Sequence, residues 1–153
     1  MRLEARIPPV LVFLAALAIM RVGVALFPEW TGEATSGTQT LIVVLLVCGG
    51  ILGAAGVASF MARRTTLHPN HPERASTLVT TGIYRVTRNP MYLGLACLLG
   101  AYGAHVRHPA VAVALLFFIG FITRFQIVPE ERALKARFGA AYDAYAAHVR
   151  RWL

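Results

Sequence analysis

The stretch Ser76 to Gly94 carries the densest set of side chains that could do chemistry in this chain, reading Ser-Thr-Leu-Val-Thr-Thr-Gly-Ile-Tyr-Arg-Val-Thr-Arg-Asn-Pro-Met-Tyr-Leu-Gly. A turn at Thr81 and Gly82 leads into a basic and aromatic run. Pro90 then sits where a first helical position tolerates proline, and Asn89 can cap that helix. Tyr84, Arg85, Arg88 and Tyr92 therefore cluster beside a helix N-terminus, whose free N–H groups and guanidinium forks suit a carboxylate or phosphate. The same residues also suit a membrane-entry motif, with arginines on headgroups and tyrosines at the interface. A second group is Glu130 and Glu131, directly after Pro129. Acids in a first helical turn answer the helix dipole, and they equally suit a cationic group on a ligand. His68 with His71 and His105 with His108 share an H-x-x-H spacing. Neither pair has a supporting carboxylate at helical spacing, and Cys48 and Cys97 lack a second pair, so inert thiols and no metal site are expected.

The elements that must position these groups are membrane helices. Of 153 residues, 57% are hydrophobic and 14% charged, with a mean hydropathy of +0.60. Soluble domains sit near 45–50% apolar and about 25% charged, and a chain this short has too little interior to hide the excess. Two cysteines and no low-complexity stretch exclude disulfide-rich, fibrous and disordered classes. Pro8 to Phe27 is interrupted only by Arg21, and Leu41 to Met61 has no charge. Each is long enough, at about 1.5 Å per residue, to cross roughly 30 Å of hydrocarbon. Met91 to Ala104 and Pro109 to Thr123, joined by His105-Val106-Arg107-His108, read as a helical hairpin. The expected fold is all-α: a single polytopic membrane helical bundle over 1–153 of about four transmembrane helices (8–27, 41–61, 90–105 and 109–128). A polar loop fills 62–89. An amphipathic C-terminal helix over 129–152, broken near Gly139, carries an apolar face of Leu134, Phe138, Tyr142, Tyr145 and Val149. In the second span, Gly49 and Gly53 have the small-xxx-small spacing of close helix approach.

The net charge of +8 would suggest nucleic acid in a soluble protein. Its distribution points to topology instead. Arg2, Arg6, Arg63, Arg64, Arg74, Arg85, Arg88, Arg132, Lys135, Arg137, Arg150 and Arg151 fall on one side of the four spans, against Arg107 with Glu29 and Glu33 on the other. By the positive-inside rule both termini are cytoplasmic, and the excess charge meets anionic lipid headgroups rather than nucleic acid. The N-terminal run is longer than a signal peptide's and is interrupted by Arg21, so an uncleaved anchor is expected. Arg21 either snorkels to the outer interface or faces a polar cavity in the bundle.

The pattern Gly82-x-Tyr84-x-x-x-Arg88-Asn89-Pro90-x-Tyr92-x-Gly94, an apolar hairpin, then Glu130-Glu131-x-x-Leu134-x-x-x-Phe138-Gly139-x-x-Tyr142-x-x-Tyr145, resembles the isoprenylcysteine carboxyl methyltransferases and related phospholipid methyltransferases. The resemblance covers roughly Ser76 to Trp152. It implies S-adenosylmethionine bound at the cytoplasmic mouth of the hairpin and a lipophilic small molecule or lipid entering from the bilayer, in a bacterial inner membrane. It assigns Ser76, Thr77, Leu78, Val79, Tyr84, Asn89, Pro90, Met91, Tyr92 and Glu130 to the cofactor, with Arg88 suited to the cofactor's carboxylate. Glu131, Arg124 and Gln126 fall on the substrate side. Asn89 stands where the isoprenylcysteine enzymes most often carry histidine. Gln126 stands where they carry the arginine that meets the prenylcysteine, which points to another small lipophilic acceptor. Membrane sterol reductases share a related C-terminal architecture serving a nicotinamide cofactor, but Arg88-Asn89-Pro90-Met91-Tyr92 followed by the Glu130-Glu131 pair favours the methyltransferases. A noncatalytic membrane protein retaining the hairpin is the third alternative.

Overall fold

The computed structural model describes residues 7–62 and 77–153, so Ser76, the first histidine pair and half of the loop over 62–89 lie outside the described residues. Among the described residues six α-helices follow in order: α1 (Pro9–Leu26), α2 (Thr38–Ala62), α3 (Pro90–Val106), α4 (Ala110–Ile122), α5 (Val128–Phe138) and α6 (Ala140–His148). Among the described residues there is no strand, and the protein is an all-helical membrane bundle. Helices Pro9–Leu26, Thr38–Ser59 and the continuous Ala110–Phe138 are long and apolar enough to cross a membrane, and Pro90–Val106 is a shorter apolar helix.

Prolines fix the helix starts. Pro9 and Pro90 occupy first-turn positions of α1 and α3, where their missing N–H has no intrahelical partner to lose. Pro129 behaves differently from its sequence reading as the start of a separate tail helix. A π-helical turn at Thr123–Ile127 joins α4 to α5 without a break. The wider turn shifts the hydrogen-bond register just ahead of Pro129, so a residue without an N–H is admitted and the helix runs on. The break comes at Gly139, whose φ of +51° is a conformation that glycine adopts freely. Beyond it α6 ends at His148, not at 152, and the last residues are not helical.

The helices pack as a chain of neighbours, α2 on α3, α3 on α4 and α1, and α1 on α4. Val12, Ala16 and Met20 of α1 meet Ala114, Phe118 and Ile122 of α4 in a core that also takes Leu99, Tyr92 and Ile127. Arg21, next to Met20, is exposed and lies outside this seam, as snorkelling requires. Cys48 is also exposed on α2, while Cys97 is half-buried. The α2–α3 contact is backbone on backbone. A Cβ on Gly94 would lie 2.9 Å from the Gly49 carbonyl oxygen, and one on Gly49 would lie 2.9 Å from that of Gly94. Gly49 therefore acts through a partner on the other helix, and Gly53 lends only its backbone to Gly94.

The far end of the bundle is tied by Arg107, in the left-handed region at φ 51° after α3. Gly32 N–H donates to the Arg107 carbonyl at 2.9 Å, and Arg107 Nε donates to the Gly32 carbonyl at 2.9 Å. His108 is buried beneath Trp30; its Nδ1 accepts from the Ala110 N–H at 3.1 Å, which leaves Nε2 to donate to the Phe27 carbonyl at 3.0 Å. This neutral imidazole joins the α1 end to the α3–α4 link.

Gly94→Val is expected to cost roughly 1–3 kcal/mol by overpacking the α2–α3 contact. Gly50→Ala, where an added Cβ meets nothing within 4 Å, is expected to be neutral or slightly stabilising. Thermal unfolding of detergent-purified protein compares the two, and equal midpoints would remove the packing account.

Candidate functional site

Three segments remote in sequence converge at the end of the bundle where α3 begins. The first is the entry loop, a 3-10 turn over Gly82–Arg85 opened by Gly82 at φ 63°, leading through Val86 to Asn89. The second is the first turn of α5 with Glu130 and Glu131. The third is α6 with the tail Arg150 to Trp152.

Glu131 is the hub. Its Oε1 lies 3.0 Å from Arg88 Nη2 and accepts from Arg151 Nε at 3.0 Å, while its Oε2 accepts from Arg151 Nη2 at 2.6 Å. Arg88 also donates Nη1 to the Tyr142 hydroxyl at 3.3 Å. The side chains of Arg88 and Glu131 are only 14% and 17% exposed, so these are substantially desolvated charges in multidentate contact. The hydrogen bonds it donates to Glu131 hold the Arg151 guanidinium above its ordinary range, as a carboxylate partner should.

The tail closes over the loop through its backbone. Arg88 N–H donates to the Arg150 carbonyl at 3.0 Å, and the Arg151 carbonyl accepts from Thr87 Oγ1 at 3.2 Å and from Asn89 Nδ2 at 2.9 Å. Trp152 Nε1 donates to Thr123 Oγ1 at 3.1 Å, pinning the tail to the π-helical turn. Asn89 occupies the cap position of α3, but its side chain makes no cap hydrogen bond. Its amide is instead turned to the tail, because the Arg151 carbonyl needs a donor. The capping expectation is corrected accordingly.

Glu130 stands apart from this cluster. Its Oε1 accepts from the Tyr92 hydroxyl at 2.6 Å, and among the described residues it has no cation. Among the described residues two side chains hold buried polar atoms with no partner: Arg88 Nε and Gln126 Oε1. Gln126 is fully buried on the π-helical turn, and its Nε2 donates to the Ile7 carbonyl. Because that carbonyl can only accept, the free atom of the Gln126 amide is its oxygen. Arg124, on the same turn, is exposed with its guanidinium 5.5 Å from the centre of the Phe125 ring, so the two substrate-side candidates diverge.

Of the remaining sequence candidates, Val79, Tyr84, Pro90 and Tyr92 are buried, Leu78 and Met91 are half-buried, and Thr77 is exposed. Burial, with Tyr145 and Glu130 adding to it, pushes the Tyr84 hydroxyl well above the ordinary phenol range, so it stays protonated. Tyr145 is raised by burial too, and it donates to the Tyr84 carbonyl at 2.7 Å. Burial and then Glu131 raise Tyr142. Sequence reasoning missed Arg151 as a member of the site and took Tyr142 and Tyr145 only as an apolar face. The signal present was their hydroxyls, since a buried tyrosine wants a partner. No three His, Cys, Asp or Glu side chains gather as a metal-ligand set among the described residues.

A carboxylate at Asn89 cannot donate to the Arg151 carbonyl and would face it with like charge. Asn89→Asp is therefore expected to lose about 1–3 kcal/mol of stability and to unfold below Asn89→Ala, although aspartate is a good helix cap. Thermal unfolding in detergent reads this directly; an Asp variant as stable as the parent would restore the capping role.

Comparison with known proteins bears on this geometry. The family model described as phospholipid methyltransferase matches residues 38–141, about two thirds of the chain, running from the start of α2 into α6. An uncharacterized protein of Haemophilus influenzae is 38% identical over 63 residues, which make up 41% of this chain and all of that protein. No solved structure matches the chain.

Proposed function

The chain belongs to the phospholipid methyltransferase family, and on that premise we propose that it transfers a methyl group from S-adenosylmethionine to a lipophilic acceptor at the cytoplasmic face of a bacterial inner membrane. The observation that carries this reading is a pair of complementary groups at the mouth of α3. Among the described residues Glu130 has the Tyr92 hydroxyl but no cation, and Arg88 Nε is a buried donor without an acceptor. An α-amino acid zwitterion, such as the end of this cofactor, offers one ammonium and one carboxylate and so answers both.

On this reading Glu130, oriented by Tyr92, would hold the ammonium. Arg88 Nε and the first-turn N–H groups of α3 would hold the carboxylate. Tyr84 and Tyr92, with Val79, Pro90 and Met91, would supply aromatic and apolar surface, and the flanking Thr77 and Leu78 would complete the enclosure. S-adenosylmethionine supplies a methyl group on a sulfonium, whose positive charge is lost as the methyl departs. The protein's part is positioning and exclusion of water more than acid–base work. That division agrees with Glu131 engaged by two guanidiniums and a Tyr84 phenol held protonated.

The acceptor side of the reading rests on Gln126 and Arg124. Gln126 offers an unpaired carbonyl oxygen one helical turn before Glu130, which favours an acceptor with an O–H or N–H over a carboxylate. Exposed Arg124 suits an anionic lipid headgroup. Four crossings with both termini cytoplasmic complete the proposal. The Gly32–Arg107 pair supports this, because it joins the α1–α2 loop and the α3–α4 link at one end, opposite the basic loop and tail.

Isothermal titration of detergent-purified protein is expected to detect S-adenosylhomocysteine and not NADPH. Glu130→Ala should weaken that binding about tenfold or more while the fold is retained. Binding of NADPH alone would replace methyl transfer with reduction, and binding of neither would leave a noncatalytic protein.

A further inference from the structure

Arg151 lies beyond the region matched by the family and touches none of the residues assigned to the cofactor except through its backbone carbonyl. Its guanidinium nevertheless makes a bidentate contact, giving two donors to the two oxygens of Glu131. Among the described residues Arg88 Nη2 makes the second ion pair to that carboxylate, on Oε1.

The geometry points to Arg151 as a positioning residue: by clamping Glu131 it fixes the Arg88 guanidinium so that Nε is left for the carboxylate of an amino-acid-bearing cofactor. This inference rests on the proposed function, which gives Arg88 Nε its ligand. A carboxylate with one arginine partner takes it side-on, with two parallel N–H bonds. Were Arg151 absent, both oxygens of Glu131 would be open to Arg88, and a fork–fork pair would draw its remaining donors toward α5. With Arg151 holding the carboxylate from the tail, Arg88 reaches it through Nη2 alone, and Nη1 goes to Tyr142. Nε is then the donor that remains, buried and unpaired. The tail backbone reinforces this, since the Arg150 carbonyl fixes the Arg88 N–H and the Arg151 carbonyl fixes Thr87 and Asn89 on either side.

The backbone contacts survive a side-chain substitution, so Arg151→Gln should fold with the strap in place. Its affinity for S-adenosylhomocysteine, read by isothermal titration of the full chain in detergent, is expected to fall about tenfold, the scale of a charge-assisted hydrogen bond. With methyl transfer as readout, the KM for S-adenosylmethionine should rise while kcat changes little. Arg150→Gln removes the same charge one residue away and should bind as the parent does. In a Glu131→Gln background, Arg151→Gln should add no further loss, because the effect runs through that carboxylate. Arg151→Lys keeps the charge without the fork, and its expected intermediate affinity supplies the test should the glutamine variant not fold. Arg151→Gln binding within twofold of the parent would overturn the inference, as would equal losses in the Arg150 and Arg151 variants. A parent protein that binds no S-adenosylhomocysteine would overturn the site reading itself, an outcome distinct from either.

Discussion

The carboxylate of Glu131, shared between Arg88 and Arg151, is the interaction on which the active end of the molecule depends. It connects three segments, the loop ahead of α3, the first turn of α5 and the chain's last residues, and adds charge to the backbone contacts by which the tail already meets that loop. Two cations around one anion leave an excess positive charge, and such a cluster is stable only if something balances it or water reaches it. Arg151, 37% exposed, keeps partial access to solvent, whereas Arg88 is nearly enclosed. Glu130, the neighbouring acid, takes no part in this cluster, and the Tyr92 hydroxyl holds its carboxyl on another partner.

The apolar helices make this separation possible. Gly49 and Gly94 bring α2 and α3 into backbone contact, which fixes where Pro90 and Tyr92 begin. The α1–α4 seam fixes the other wall, and the π-helical turn re-aims the chain beyond it so that Glu130 faces Tyr92 rather than following the α4 register. In lipid a broken helix would leave backbone groups without partners, so a local change of register redirects a side chain at less cost than a loop.

What the sequence made legible follows from which forces are local. Apolar runs, the Gly82 turn and the Gly139 break depend on period and on backbone preference, and they appear where expected, whereas Val149 of the expected apolar face lies past the end of α6. The continuity of α4 into α5 was hidden because Pro129 reads as a helix start wherever a π-helical turn is not anticipated. Asn89 was misjudged for a similar reason: cap preference is a local rule, but its amide answers a carbonyl 62 residues away. Arg151 was invisible as a site residue, since a terminal arginine among several basic residues looks like topology until its partner is seen.

That last point changes how the basic excess is understood. Arginines at the end of a membrane bundle satisfy the positive-inside rule whatever their side chains touch, so charge placement by itself does not separate topological from functional residues. Here the distinction lies in desolvation. Arg85, Arg132 and Arg137 are exposed, as headgroup contacts require, whereas Arg88 is drawn under Tyr142 and against Glu131 at the cost of its hydration. Burying a guanidinium costs several kcal/mol unless each donor finds a partner. One donor of Arg88 does not, and a fold that needed this arginine only for topology could have left it in water.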